Sequence, residues 1–375
     1  MTVPALGVLA TATPGLGGWF HTLSPTIVEF GPGLAIRWYG VAYALSFVWG
    51  WLYLRWASKR GLSKIPATRV GDAIMAVILG VVLGGRLGYV CFYEPSLLWD
   101  VGPSVPFWGV LAIHRGGMAS HGGLIGVVLA AWRISRGWKD VTPEGVPVRV
   151  GICPMLHVLD VLALGTPVGL MLGRLANFVN GELLGRIVAM PGQPAPWWSV
   201  RYPQEVGTAH NDAVVRTIDQ QVALDQIIAT YAQDGDSAGA AWERVLRGVH
   251  RGDEGLVEAL RPLISARAPS QLVQALCEGV VLAAVLWWIA RVPRRPGVVG
   301  CWFVIAYGVM RIGTEFVRLP DAHLQHARIL GLTRGQWFSA AMILVGLGFL
   351  VWIRRRAAER LGGWARPGPA GGAAA

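Results

Sequence analysis

Charge is scarce in this chain of 375 residues. Asp, Glu, Lys and Arg together make up 15% of it, against roughly 25% in ordinary soluble domains, which argues against a surface wetted on all sides. Cysteine is scarcer still: Cys91, Cys153, Cys277 and Cys301 are the whole supply. No two of them form a CxxC pair, and all lie in or beside apolar runs, so they read as small buried hydrophobes. HxxxH, HExxH and carboxylate-rich clusters are missing, and no metal or cofactor is expected. A GxSxG elbow is missing too, and no Cys–His spacing points to a protein nucleophile. The opening residues, "MTVPALGVLATATPGLGGWF", lack a basic start and a long apolar core and do not read as a cleaved signal.

Apolar residues are abundant. They reach 53%, with 18 Trp and 50 Gly. Trp favours membrane–water boundaries, and Gly is commoner in membrane helices than in soluble ones. The expected class is an all-α polytopic membrane protein. The formal charge of +11 sits in short basic clusters beside apolar runs, as topology determinants do. No nucleic-acid partner is expected.

A span needs about 20 apolar residues. The apolar runs predict about seven transmembrane helices, near 36–56, 70–93, 118–136, 155–174, 271–290, 298–317 and 335–353. Arg55, Lys59, Arg60, Lys64 and Arg69 follow the first run, and Arg133, Arg136, Lys139 and Arg149 follow the third. Arg291, Arg294 and Arg295 follow the fifth, and Arg354–Arg356 follow the seventh. With seven spans all these clusters share one side, which the positive-inside rule makes cytoplasmic. The amino terminus is then outside and the carboxyl terminus inside. Four segments result: a membrane half at 1–185, a mostly helical extracytoplasmic arm at 186–268, a second membrane half at 269–356, and a tail at 357–375 expected to be disordered. Glycines recur every four positions at Gly80, Gly84 and Gly88, and again at Gly165, Gly169 and Gly173. Such ridges let helices approach closely in lipid.

Polar residues within these runs share a depth. Tyr39, Arg86, His121 and Arg174 fall toward the outer ends of the first four spans, with Asn177, Asn180, Glu182 and Gly185 just beyond Arg174. Tyr307, Arg311, Glu315 and Arg318 follow one stripe of the sixth. An arginine at the bilayer centre costs about 2.5–3.5 kcal/mol on insertion scales, so such a stripe faces protein or water. Each residue has a plainer reading. Arg311 and Glu315 have the spacing of a packing ion pair, and Arg86 can snorkel to headgroups. His121 can bond a carbonyl, and the asparagines can terminate a helix. Their common level favours one pocket in the outer leaflet. Converging guanidinium groups there suit a lipid phosphate.

The segments "IRWYGVAY", "GGRLGYV", "RGGMASHGGLIG", "GRLANFVNGELLGR" and "YGVMRIGTEFVRLPDAH" occur in the order found in bacterial prolipoprotein diacylglyceryl transferases, and the chain resembles that family over most of its membrane part. The resemblance implies an enzyme that moves diacylglyceryl from phosphatidylglycerol to the lipobox cysteine thiol of prolipoproteins and releases glycerol 1-phosphate. It implies an inner-membrane location, and a monomer is expected. On this reading Arg174, Arg311 and Tyr307 act on the leaving phosphate, His121 is the candidate base, and Glu182 orients an arginine. Tyr39, Arg86, Asn177, Asn180, Glu182, Gly185, Glu315 and Arg318 contribute to substrate binding. An arginine that stabilises the thiolate is the alternative to a His121 base. A departure occurs where the family commonly reads H-P-S-Q-L-Y-E: Ala268, Val273 and Gln274 replace its histidine, tyrosine and glutamate, leaving Ser270 and Gln271 as contacts. A phospholipid-binding secondary transporter is the alternative function, but no paired repeat accompanies the polar residues.

Overall fold

A computed structural model describes residues 15–31, 34–102, 106–112, 116–319 and 331–365. The first fourteen residues, the last ten, and the end of the "YGVMRIGTEFVRLPDAH" motif lie outside the described residues. Four long helices come first: α1 (Trp38–Lys59), α2 (Val70–Phe92), α3 (Ser120–Ser135) and α4 (Met155–Asn180). Three shorter ones follow, α5 (Ile218–Tyr231), α6 (Ala238–His250) and α7 (Glu254–Leu260). Then α8 (Ser270–Gln274) continues through a π-helical stretch, Ala275–Val281, into α9 (Leu282–Ile289). Helices α10 (Val298–Glu315) and α11 (Arg334–Arg355) complete the order.

Among the described residues five helical stretches are long and apolar enough to cross a membrane: Ala67–Phe92, Met155–Asn180, Ser270–Ile289, Val298–Glu315 and Gly335–Arg355. They coincide with five of the seven expected runs. Helix α3 has 16 residues, about 24 Å at 1.5 Å per residue, short of a hydrocarbon core of about 30 Å. Helix α1 is long enough at 22 residues, but its many Trp and Tyr side chains lower its hydropathy.

The contacts divide the chain into two compact units. One comprises Met1–Tyr43, Leu170–Gly279 and Val309–Ala340; the other comprises Ala44–Gly169, Val280–Gly308 and Ala341–Ala375. In the second unit the first glycine ridge does what its spacing predicts. A Cβ on Gly80 or Gly84 of α2 would overlap the carbonyl oxygen of Gly126 or Gly122 on α3, and one on Gly88 would lie 2.7 Å from the Gly122 Cα. The two backbones touch, and any side chain there separates them. The second ridge is a ridge only in part. Gly165 meets the Tyr53 ring and Gly169 meets Ser46, whereas Gly173 has open space around it. In the same unit Asp160 accepts from the backbone N–H groups of Gly297 and Gly300, both at 2.7 Å, where α10 begins and its first donors lack helical partners.

The tail as far as Ala365 makes hydrogen bonds near the end of α9. Leu361 and Arg294 exchange backbone hydrogen bonds of 2.8 and 3.0 Å, and the Ala365 N–H donates to the Arg291 carbonyl at 3.0 Å. The Trp364 indole donates to the carbonyl of Trp287 at 2.7 Å. The tail thus caps the end of α9, whose last carbonyls would otherwise go unpaired.

The first unit holds the segment expected as an arm, and this segment is not purely helical. Short strands β1 (Trp19–Phe20), β6 (Ile187–Ala189), β7 (Val200–Arg201) and β8 (Ala266–Arg267) form a mixed sheet in the order β1-β7-β8-β6. Hairpins β2 (Thr26–Gly31)–β3 (Leu34–Arg37), in this unit, and β4 (Trp138–Val141)–β5 (Pro147–Val150), in the other, add further strands. Strands of two to six residues carry too little periodicity to be read in advance. The helices α5–α7 follow their pattern. Trp242, Val245, Leu246 and Val249 of α6 bury one face against Leu224, Ile227, Leu256 and Leu260. Thr217 and Gln220 form a capping box, and Ser237 and Asp253 cap α6 and α7.

Beneath these helices lie buried charges. Glu205 accepts from the Ser265 N–H at 2.8 Å and from Arg267 Nε at 2.7 Å, with both ionic side chains fully buried. Arg201, also fully buried, donates to the carbonyls of Ile264, Leu16 and Gln193 at 2.6, 3.0 and 2.9 Å. His21 is enclosed as well. Its Nε2 lies 2.8 Å from the Phe178 carbonyl, which can only accept, so Nε2 carries the proton. Its Nδ1 accepts from the Gln204 amide at 3.1 Å. Burial lowers the His21 pKa from 6.5 to about 4, in keeping with a neutral ring.

Glu205→Ala is expected to lower the stability of this unit by about 3–5 kcal/mol, because it removes the buried carboxylate that pairs with both Arg267 and Arg216; unchanged protease resistance and melting temperature would contradict the network. Acid acts through His21. The unfolded ring protonates near pH 6.5 and the folded one near 4, so the stability contributed at neutral pH falls as pH drops through that window. In urea unfolding followed from pH 7.5 to 4.5, His21→Phe should flatten this decline, and an unaltered slope would remove His21 as its source.

Candidate functional site

The "GRLANFVNGELLGR" segment ends α4 and turns back. Gly181 (φ +65°) and Leu183 (φ +54°) take left-handed conformations, the usual way to stop a helix. The Gly181 and Glu182 N–H groups close on the carbonyls of Phe178 and Asn177 at 3.0 and 3.1 Å. The chain then runs between two others. Gly185 bridges to Arg318, the Arg186 N–H donates to Val317 at 3.0 Å, and the Ala268 N–H donates to Arg186 at 3.0 Å. A Cβ on Gly185 would overlap the Ala268 carbonyl, so this glycine is required by the approach of three backbones.

A polar chain lies on this turn. The Tyr39 hydroxyl donates to Glu182 Oε2 at 2.7 Å, and the Asn177 amide donates to that hydroxyl. The Asn180 amide reaches Glu182 Oε1 at 3.3 Å. The Gln271 amide donates to the Glu182 carbonyl, and Ser270 Oγ donates to the Leu183 carbonyl at 2.7 Å. Tyr202, which the sequence reading did not single out, donates to Gln271 Oε1 at 3.1 Å. Burial raises its phenol well above the ordinary value and keeps it a donor. Ser270 and Gln271 therefore hold the turn from the side where the family motif departs.

Arg174 has an unexpected partner. Its Nε donates to Glu278 Oε2 at 3.0 Å, and its Nη2 lies 2.9 Å from the same oxygen as an ion pair. Glu182 was expected to orient an arginine; its partners among the described residues are Tyr39 and Asn180 instead. Glu278 is fully buried in the π-helical stretch. A signal for it existed in the sequence, since it is the one charged residue in Ser270–Ile289, and a lone acid in an apolar span demands a partner. Arg174 Nη1 has no acceptor among the described residues. Half of the fork thus stays available to an anion.

Arg311 and Glu315 approach to 3.4 Å at the i,i+4 spacing. The contact is an ion pair without hydrogen-bond alignment: Arg311 Nη1 and Glu315 Oε2 are buried and lack a hydrogen-bond partner among the described residues. Thr333 Oγ1 donates to the other Glu315 oxygen at 3.2 Å. The packing pair foreseen for these two residues exists, and it leaves Arg311 with unspent donor capacity. Arg318 is buried at the bridge to Gly185.

The remaining expected site residues belong to the other unit. Arg86 is buried on α2 and donates to the carbonyls of Val110, Gly116, Gly117 and Gly109 at 2.7, 2.7, 3.0 and 2.6 Å. Snorkelling does not describe it, because its fork is filled by the carbonyls of a loop. His121 is the second residue of α3 and is exposed. Tyr307 is half-buried on α10 and stacks on Phe303 with ring centroids 6.0 Å apart.

Comparison with known proteins agrees with the motifs. The family model described as prolipoprotein diacylglyceryl transferase matches residues 25–352. Among similar proteins, one from Bdellovibrio bacteriovorus is 35% identical over 366 residues, covering 92% of this chain and 97% of its own. One from Roseobacter denitrificans is 35% identical over 360 residues, covering 90% and 97%. One from Paraburkholderia xenovorans is 34% identical over 347 residues, covering 89% and 94%. All three bear the name phosphatidylglycerol–prolipoprotein diacylglyceryl transferase. Matched over most of its length by both the family model and these relatives, the chain belongs to the prolipoprotein diacylglyceryl transferase family.

Proposed function

We propose that this protein transfers the diacylglyceryl group of phosphatidylglycerol to the lipobox cysteine of prolipoproteins, the first step of lipoprotein maturation. The thiolate sulfur attacks the glyceryl carbon that carries the phosphate, and a carbon–sulfur bond forms as the carbon–oxygen bond breaks. Glycerol 1-phosphate departs with the electron pair, and the thiol proton passes to a base. The observation that carries this reading is the half-engaged fork of Arg174, set in the segment that identifies the family. Glu278 fixes the guanidinium through Nε and Nη2, and Nη1 is the edge assigned to the phosphate.

Negative charge gathers on the leaving phosphate, and one preorganised donor there is worth about 2.7–4 kcal/mol. Arg174 and Arg311 take that role, with Tyr307 as a further donor. Tyr39, Asn177, Asn180 and Glu182 position the headgroup as one bonded set, Glu315 holds Arg311, and Arg318 supports the turn at Gly185. His121 is the proposed base for a thiol whose ordinary pKa is near 8.5. The full account has seven spans, with α1 and α3 completing the five apolar helices. The protein lies as a monomer in the inner membrane, its amino terminus and arm outside and its carboxyl terminus inside.

Arg174→Ala should lower thioether formation on a lipobox peptide at least 100-fold, with Arg174→Lys recovering only part, since an ammonium lacks the fork. The measurement is glycerol phosphate release by purified, monodisperse protein, and normal turnover would remove the phosphate-binding assignment. His121→Gln should abolish the rise of the rate with pH that reports deprotonation of a base; an unchanged profile with substantial activity would exclude His121 from proton transfer.

A further inference from the structure

Between the two contacts that tie α8 and its π-helical continuation to α4, one buried side chain lacks partners. Gln271, Gln274 and Glu278 follow each other at three and four residues, one face of a helix, and all three are fully buried. Gln271 reaches the Glu182 carbonyl at one end of the face, and Glu278 holds Arg174 at the other. Beyond that, a Cβ on Gly279 would lie 2.6 Å from the Met171 Cβ, so the two segments run antiparallel in close contact. Gln274 sits between these ties along the same face. Its Nε2 and Oε1 are both unpaired among the described residues, and so are Glu278 Oε1 and Asn180 Oδ1.

Burying an amide with neither end bonded costs several kcal/mol in an apolar setting, and native proteins rarely leave such a group without a ligand or water. The unpaired set comprises one N–H donor group and three acceptor oxygens. A hydroxyl matches it, because it donates and accepts at once. A phosphate does not, since two of the acceptors are a carboxylate and an amide oxygen. An ammonium would find no use for the Gln274 N–H.

We infer that Gln274, with the unbonded oxygen of Glu278, forms a hydroxyl-reading subsite that recognises the glycerol headgroup while Arg174 takes the adjoining phosphate. This rests on the transferase reading and adds to it a determinant of headgroup choice. The subsite uses a residue at which the chain departs from the family motif, where a neutral amide stands for a carboxylate and offers the headgroup a donor as well as an acceptor.

The test compares phosphatidylglycerol with phosphatidylpropanol, which keeps the phosphodiester and the three-carbon headgroup but lacks its hydroxyls. Thioether formation on a lipobox peptide is measured for each lipid in mixed micelles. The protein as it stands should prefer phosphatidylglycerol at least tenfold in kcat/KM, because a site built to bond a hydroxyl rejects the analogue without one. Gln274→Leu should bring that ratio close to one, and Gln274→Glu, which retains acceptors, should restore most of it. No preference in the unaltered protein, or a preference that survives Gln274→Leu, would overturn the subsite. So would an equal loss on both lipids in Gln274→Leu and Gln274→Glu alike, which marks a packing role. Failure of the unaltered protein to modify the peptide with either lipid would instead remove the transferase reading itself.

Discussion

An arginine below a membrane surface needs acceptors beside it, and for Arg174 the acid Glu278 supplies them. Unpaired, either charge would be costly in an apolar span. The pair ties the end of α4 to the π-helical stretch after α8, and its geometry is one-sided. Nε donates to one carboxylate oxygen and Nη2 pairs with that same oxygen, which leaves Nη1 on Arg174 and an oxygen on Glu278 for other work. Stability and binding thus draw on the same contact.

The surroundings keep that contact in register. Glu182 gathers Tyr39 and Asn180 on its side chain while Gln271 holds its carbonyl, and Gly185 lets three backbones meet where no side chain fits. Tyr202, from the sheet-bearing part of the same unit, locks Gln271. The arm segment is therefore bonded into the turn that carries the signature, and its buried Glu205–Arg267 and His21 contacts bear on that turn through Arg267, which also donates to the Gly185 carbonyl at 3.3 Å, and through Phe178.

Much of this was legible in the residues. Membrane class, five of the runs and the α2–α3 glycine contact follow from hydropathy and a four-residue period, which are dense signals. The motif residues Tyr39, Asn177, Asn180 and Glu182 were foreseen in one site, and they are bonded to one another. What escaped depends on partners distant in sequence. Glu278 looked like one acid in an apolar run, and only the fold brings it to Arg174. The carbonyls that fill the fork of Arg86 come from a loop without periodicity. The mixed sheet escaped because two-residue strands carry no pattern.

The central claim is that Arg174 offers a lipid phosphate the edge that Glu278 leaves open. A structure of the protein in phosphatidylglycerol nanodiscs tests this most directly. The account predicts a headgroup phosphate within hydrogen-bond distance of Arg174 Nη1, with Glu278 still on the opposite edge. A phosphate bound elsewhere, with Arg174 engaged by Glu278 alone, would contradict it.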